Sequence, residues 1–241
     1  MEPVSLALKI ALSVVPNLAL GLGGLYGRAF DRSGLVGGMI LGSVITYAYG
    51  PGGFLAMLTF VVLGSITTRL RFAEKVSCGI SEAAGGRRTW RNAAANLGVP
   101  AFGAALAILR PIPVLGVFVT ASLATAAFDT VATEMGKAYS SKCFTLQDLK
   151  VREAGAPGGI SAIGTVSGAA AALAVALVAF AFHIVGGGML AYIVIAGLFA
   201  SAAESLLKSM VGLRSTHAAN VTNTLLGGLI AVLFWTGMRS V

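Results

Sequence analysis

Apolar residues come in long blocks along this chain, not with the short alternations of a soluble fold. Apolar stretches run over about 4–26, 34–49, 52–70, 91–109, 112–138, 160–184, 188–211 and 217–238. Each lies near the roughly 17–25 residues that carry an α-helix across a bilayer. The pattern therefore predicts an all-α, polytopic transmembrane helix bundle of about eight helices, forming a single integral membrane domain over 1–241. Only Gly50, Pro51, Gly52 and Gly53 separate the second and third stretches, so one broken re-entrant pair is the alternative there. The first stretch is too long for the apolar core of a secretory signal and lacks a basic leader, which makes it a transmembrane helix. Two connections, about 71–90 and 139–159, are long enough to carry structure of their own.

Charge orients this arrangement. The first, third, fifth and seventh connections hold every Lys and Arg of the 17 except Lys9, Arg110 and Arg239. Basic loops stay in the cytoplasm, so the odd connections are expected there and both termini on the outer side. The net charge of +8 is then mostly topological. A basic cytoplasmic face also attracts anionic lipid or polyphosphate, and nucleic acid is not an expected partner. Composition agrees, since 56% hydrophobic residues, 11% charged residues and a mean hydropathy of +0.87 exceed what one soluble core can hide. The 32 glycines suit close helix packing in lipid. Cys78 and Cys143 both fall in predicted cytoplasmic loops, where thiols stay reduced.

Ionisable groups inside apolar stretches are expensive and mark candidate chemistry. In the fifth stretch Thr130, Thr133, Glu134 and Lys137 all fall within about 140° of Asp129 on a helical wheel, with Phe128, Val131 and Met135 opposite. Asp129 sits roughly 12 Å deeper than Lys137 at 1.5 Å per residue. In the seventh stretch Ser201, Glu204, Ser205 and Lys208 share an arc of about 100°; a self-satisfying Glu204–Lys208 pair is the plain alternative. The eighth presents His217, Asn220, Asn223 and Thr224 on one stripe, and the fourth presents Arg88, Asn92 and Asn96. Such amides serve interhelical hydrogen bonding as readily as ligand contact. The alternating direction of the helices brings all these stripes to the cytoplasmic end.

Before the sixth stretch, Ala156-Pro157-Gly158-Gly159-Ile160-Ser161 leads into Gly164 and Thr165. A glycine turn at a helix N-terminus presents free N–H groups that suit phosphate. Neither a Walker A sequence nor a zinc spacing is present, and His183 reads as interfacial. Hard oxygen ligands beside a phosphate-binding turn point to Mg²⁺-assisted chemistry on a phosphate group. Asp129, Glu134 and Glu204 are the expected metal and catalytic carboxylates, with Lys137 beside them. Arg87, Arg88, Arg91 and Lys208 are expected to neutralise phosphoryl charge. Asn92, Asn96, Gly158, Gly159, Ser161, Thr165, Ser205, Asn220 and Asn223 complete the expected nucleotide and phosphate set.

Several of these residues lie in an ordered series of motifs: Gly86-Arg87-Arg88-Thr89-Trp90-Arg91-Asn92 with Asn96-Leu97-Gly98, Phe128-Asp129-Thr130-Val131-Ala132-Thr133-Glu134-Met135-Gly136, Gly158-Gly159-Ile160-Ser161, Glu204-Ser205-Leu206-Leu207, and Asn220-Val221-Thr222-Asn223-Thr224-Leu225-Leu226-Gly227. The series resembles the membrane family that includes the phytyl-phosphate kinases of plants and cyanobacteria and animal transmembrane protein nineteen. The resemblance implies a kinase converting a prenyl monophosphate to the diphosphate with CTP or another nucleoside triphosphate. The chain departs from the family's pattern at Pro157, Glu204 and Lys208. A cytidylyltransferase making a CDP-activated lipid and a cation-coupled transporter are the alternative readings.

Overall fold

The computed structural model describes residues 5–82, 84–210 and 216–239. Arg214, expected in a basic connection, lies outside the described residues. Eight α-helices run in order: α1 (Leu6–Tyr26), α2 (Arg32–Arg69), α3 (Phe72–Ser77), α4 (Trp90–Leu109), α5 (Pro113–Tyr139), α6 (Ala162–Ala181), α7 (Leu190–Met210) and α8 (Thr216–Arg239). All but the short α3 are long and apolar enough to cross a membrane, which makes seven such helices among the described residues.

The 38-residue α2 is two limbs, because Gly50 at φ 59° and ψ −148° breaks the helix. Only glycine takes that conformation freely, and Pro51 starts the second limb without an N–H to satisfy. The limbs fold back on one another: a Cβ on Gly42 would lie 2.9 Å from the Met57 sulfur, whereas a straight helix would hold those residues about 22 Å apart. Each limb reaches roughly 28 Å, about the hydrocarbon thickness. The second and third apolar stretches of the sequence are these two limbs.

Contacts sort the connections onto two ends. At one end Lys9 lies 4.3 Å from the Tyr47 ring, Gly52 and Gly116 abut residues 182–184, and Gly188 abuts Met238. Both described chain ends are therefore on this side, with His183 exposed nearby. At the other end Arg69 donates to the Gly27 carbonyl and Arg71 donates to the Ala138 carbonyl at 2.8 Å.

α5 is the axis of the bundle. Its apolar window is 72% buried, against 17% to 39% for the other spans. A helix apolar on all sides belongs in the middle of such a bundle, and Ala121, Ala124 and Ala127 on α5 have no exposed surface. The outer helices leave large side chains such as Leu12, Ile40, Phe102 and Phe199 facing outward. With no hydrophobic effect between helices in lipid, close approach supplies the packing. A Cβ on Gly164 of α6 would lie 2.5 Å from the Ala132 carbonyl oxygen, and one on Gly227 of α8 would overlap the Thr125 hydroxyl.

The two long connections are structured in ways the apolar pattern did not announce. Residues 142–160 form a three-stranded antiparallel sheet, β1 (Lys142–Thr145), β2 (Lys150–Glu153) and β3 (Gly159–Ile160), in the order β2-β1-β3. Lys142 pairs with Glu153 and Phe144 with Ile160. The strands are too short for an alternation to stand out in sequence. In the other connection, α3 packs under the end of α5, with Arg71 stacked 5.5 Å from the Tyr139 ring.

The α5–α6 contact yields a direct test. Gly164→Ala must push α6 away from the Ala132 carbonyl, a form of overpacking that costs about 1–3 kcal/mol. Its apparent melting temperature in detergent should fall by several degrees, while Gly237→Ala, with open space around its Cβ, should leave it unchanged.

Candidate functional site

A cavity of about 890 Å³ opens at the end of the bundle that carries the basic connections. Its walls come from the last three turns of α5, the start of α4, the turn before α6, the end of α7, Asn220 of α8 and the small sheet. Arg88, Asn92, Asn96, Asp129, Glu134, Lys137, Gly158, Gly159, Ser161, Ser205, Lys208 and Asn220 all line it. Side chains from positions 88 to 220 thus converge, as the alternating helix directions predict.

Arg88 is held by its backbone. Its N–H donates to the Ala29 carbonyl at 2.9 Å and its carbonyl accepts from the Asp31 N–H at 3.1 Å. Asp31 is itself fixed as the α2 cap, accepting from the Gly34 N–H at 2.7 Å. Glycines at both ends of the α2 hairpin admit this strand: a Cβ on Gly34 would lie 2.1 Å from the Arg88 carbonyl oxygen, and one on Gly64 2.8 Å from a guanidinium nitrogen. The guanidinium lies 5.7 Å from the Phe60 ring centre and has no hydrogen bond or ion pair with a described residue. Burial pushes its pKa down from the ordinary arginine value, and the charges of Glu82 and Glu134 oppose that shift. Five donors without an acceptor in a cavity are a ready anion site.

The carboxylates divide into two centres. Asp129 faces both Glu204 and Lys208 across the α5–α7 contact, and Lys208 Nζ lies 2.6 Å from Glu204 Oε1. That ion pair lacks hydrogen-bond alignment, and the buried Oε1 has no other partner among the described residues. Glu134 belongs elsewhere. Its Oε2 accepts from Lys75 Nζ at 2.5 Å, and Lys137 Nζ approaches Oε1 at 3.7 Å. Lys75, only 1% exposed, spends its other donors on the Thr67 and Thr68 carbonyls at 3.2 and 2.8 Å.

Several expectations change accordingly. Asp129, Glu134 and Glu204 do not assemble as one metal-ligand set, and no group of three His, Cys, Asp or Glu that could hold a metal occurs among the described residues. Five positions separate Asp129 from Glu134, so they stand about 7.5 Å apart along the helix and on different azimuths. Glu204 and Asn223, each 1% exposed, lie behind the cavity wall. Arg87 and Arg91 point to the surface, with Arg91 over its neighbour Trp90 at 5.9 Å. Thr165 is turned into its own helix, donating to the Ser161 carbonyl at 3.0 Å.

The amides are partly structural. Asn92 closes the first turn of α4, its Oδ1 accepting from the Thr89 N–H at 2.9 Å. Asn220 Nδ2 donates to Asn96 Oδ1 at 3.2 Å, an α8–α4 bridge. Asn220 Oδ1 and both polar atoms of Asn223 have no partner among the described residues. The glycine turn has a packing reason of its own: at φ 68°, Gly158 presses against α7, where a Cβ would lie 2.5 Å from the Ser205 carbonyl oxygen. Ser161 caps α6, accepting from the Gly164 N–H at 3.1 Å.

Sequence reasoning missed Lys75, Ser81, Glu82, Gln147, Asp148 and Arg152. Lys75 looks like any loop lysine, and its partner Glu134 is 59 positions away. Asp148 holds the β1–β2 turn by accepting from the Thr145 hydroxyl at 2.6 Å and from Arg152 at 2.5 Å. Those two hydrogen bonds hold its carboxyl down at about 2.

Two expectations follow. Lys75→Met strands a buried carboxylate and should destabilise the protein by about 3–5 kcal/mol, measured by denaturation in detergent. Adding Glu134→Gln should recover most of the loss. Because the folded pKa of Asp148 lies below its ordinary value, its support of the turn is full above about pH 4 and lost as pH falls toward 2. Proteolysis of the β1–β2 segment should rise over that window, and Asp148→Asn should cleave readily at neutral pH.

Residues 15–233 match the family described as integral membrane protein DUF92. An uncharacterized membrane protein of Synechocystis is 30% identical over 80% of this chain and 78% of its own. The chloroplastic protein VTE6 of Arabidopsis thaliana is 29% identical over 84% of this chain and 64% of its own, so the chain spans less than two thirds of that relative. An uncharacterized membrane protein of Methanocaldococcus jannaschii is 27% identical over 98% of both chains. No solved structure matches. With the match running through all seven membrane-crossing helices and every wall of the cavity, the chain belongs to the DUF92 family of integral membrane proteins.

Proposed function

We propose that this protein is a membrane-embedded kinase that phosphorylates a prenyl monophosphate to the diphosphate, with CTP or another nucleoside triphosphate as donor. The observation that carries the reading is Arg88: a guanidinium with no acceptor of its own, in a basic cavity at one end of a lipid-embedded bundle. About 890 Å³ lies in the range of small-molecule sites, which run to roughly 1,000 Å³. The motif resemblance to phytyl-phosphate kinases supplies the reaction class; the cavity alone supports phosphate chemistry. The basic connections on the cavity side favour a cytoplasmic opening and outer termini.

In this reading an oxygen of the prenyl phosphate attacks the γ-phosphorus of the nucleotide. The bond from that phosphorus to the bridging oxygen breaks, and the nucleoside diphosphate leaves with the electron pair. A dianionic acceptor needs no base, so the protein's work is positioning and charge neutralisation. Arg88 and Lys137 bind phosphate oxygens from the α4 and α5 sides, and Lys208 does so from α7. The Gly158–Ser161 turn offers the remaining N–H groups of the α6 N-terminus. Asp129, on the wall with Glu204 behind it, fits Mg²⁺, which takes one or two carboxylates and completes its shell with phosphate and water. The ion would offset charge on the phosphates there. Glu134 keeps the Lys75 and Lys137 ammonium groups in place.

The test uses purified protein in detergent with Mg²⁺, γ-labelled CTP or ATP, and prenyl monophosphates of graded length. Label should appear in a prenyl diphosphate. Asp129→Asn should reduce transfer by more than about 100-fold, and Arg88→Ala by roughly 100-fold, on the order of losing one charge-stabilising donor, with melting temperatures unchanged. Label confined to pyrophosphate would indicate CDP-lipid synthesis instead, and no lipid-dependent turnover would remove the kinase reading.

A further inference from the structure

A second cavity lies beside the first and shares three residues with it. It is a narrow slot between α1, the two limbs of α2 and α4. Its walls are apolar, formed chiefly by Leu20, Leu35, Met39, Met57, Phe60 and Val61. Arg88, Asn92 and Asn96 belong to both cavities and form the junction. The guanidinium of Arg88 thus has Phe60 and the apolar slot on one side and the polar cavity on the other.

We propose that this slot binds the phosphate-proximal isoprene units of the lipid substrate, with Arg88 holding the phosphate at its mouth and Gly38 setting the width. The inference rests on the kinase reading and adds where the hydrocarbon goes. The junction fits an amphiphile: a molecule whose charged end is drawn to an unpaired cation and whose adjoining carbon chain is excluded from the polar cavity. The slot is the apolar space that continues from Arg88, and its methionines adapt to a methyl-branched chain.

Depth limits how much of the tail enters. Gly34 touches Arg88 near the mouth, and Gly42 touches Asn17 at the inner end, a distance of about 12 Å along α2. Asn17 is 2% exposed, donates to Thr46 Oγ1 at 2.8 Å, and has an Oδ1 without a partner among the described residues. An unpaired amide oxygen there makes the inner end unfavourable for carbon, so the chain beyond the first units passes out between helices into lipid. The slot admits one extended chain, not a folded one.

Gly38 lines the slot, and a Cβ built on it meets nothing within 4 Å. Larger side chains there should fill the slot without a backbone clash. Gly38→Ala and Gly38→Leu are compared with Gly23→Leu, which adds the same side chain to the exposed face of α1, also with nothing within 4 Å. Transfer is measured to geranylgeranyl monophosphate and to five-carbon dimethylallyl monophosphate. Gly38→Leu should lower kcat/KM for the long substrate at least 10-fold, with the nucleotide KM and melting temperature unchanged. Gly38→Ala should give a smaller loss, and it carries the comparison if the leucine variant fails to fold. Gly23→Leu should match the parent protein. A kcat/KM for geranylgeranyl monophosphate within twofold of the parent in a folded Gly38→Leu protein would overturn the slot.

Binding separates failure of the slot from failure of the kinase. Geranylgeranyl monophosphate carrying a photoreactive group on its first isoprene unit should label residues of α2 or α4 in the parent protein and not in Gly38→Leu, whether or not phosphate is transferred. Labelling elsewhere, or equally in both proteins, overturns the slot even if the kinase assay succeeds. Slot labelling without transfer would keep the lipid-phosphate site and discard the kinase.

Discussion

Charge placed in a lipid-embedded bundle must be paired, hydrogen-bonded or turned toward water, and that constraint organises the cavity end of this protein. Lys75 obeys it by surrendering all its donors: Glu134 takes one and the last carbonyls of the α2 hairpin take the others. This ties the connection after α2 to the cavity-side end of α5. Lys208 and Glu204 form an ion pair on α7 without hydrogen-bond alignment, with Asp129 facing both. Arg88 is the exception, a guanidinium at the cavity with neither a carboxylate nor a carbonyl among the described residues in hydrogen-bond reach.

Small residues make the arrangement possible. α5 can sit at the centre only because α6 and α8 present glycine where its carbonyls and hydroxyls come close. The α2 hairpin can fold only because Gly50 accepts a positive φ. At its open end Gly34 and Gly64 leave the space through which the strand carrying Arg88 passes. The same hairpin therefore makes the apolar slot, frames the guanidinium at its mouth and receives Lys75. The slot, the guanidinium at its mouth and the Lys75–Glu134 ion pair all depend on one broken helix. The glycines of the 156–161 segment serve similarly, letting the turn before α6 lie against α7 at the cavity wall.

Much of this was legible in the chain. Block hydropathy gave the number of membrane-crossing stretches, because lipid demands a fixed length of apolar helix whatever the tertiary packing. Helical periodicity placed Asp129, Glu134 and Lys137 on one face of α5, and alternating helix direction brought that face together with Arg88, Ser161, Lys208 and Asn220. Both inferences need only local geometry and counting. Periodicity could not resolve which charges neutralise one another. Asp129 and Glu134 share a broad polar face, yet the Lys75 ammonium claims the second and Lys208 stands beside the first. The expected three-carboxylate set therefore separates into two centres.

By itself, then, the sequence determined the membrane class, the helical spans, the clustering of basic connections and the end at which polar groups meet. Those properties follow from sums and periods over contiguous residues. Only the tertiary structure decided that Lys75 is buried, that Arg87 and Arg91 face outward, that residues 142–160 form a sheet, and that an apolar slot opens onto Arg88. The burial of Lys75 and the opening of the slot depend on contacts between segments far apart in the chain, as with Lys75 and Glu134 across 59 positions. In lipid the free energy of a charged group is set by such a partner, and no local pattern records where the partner is.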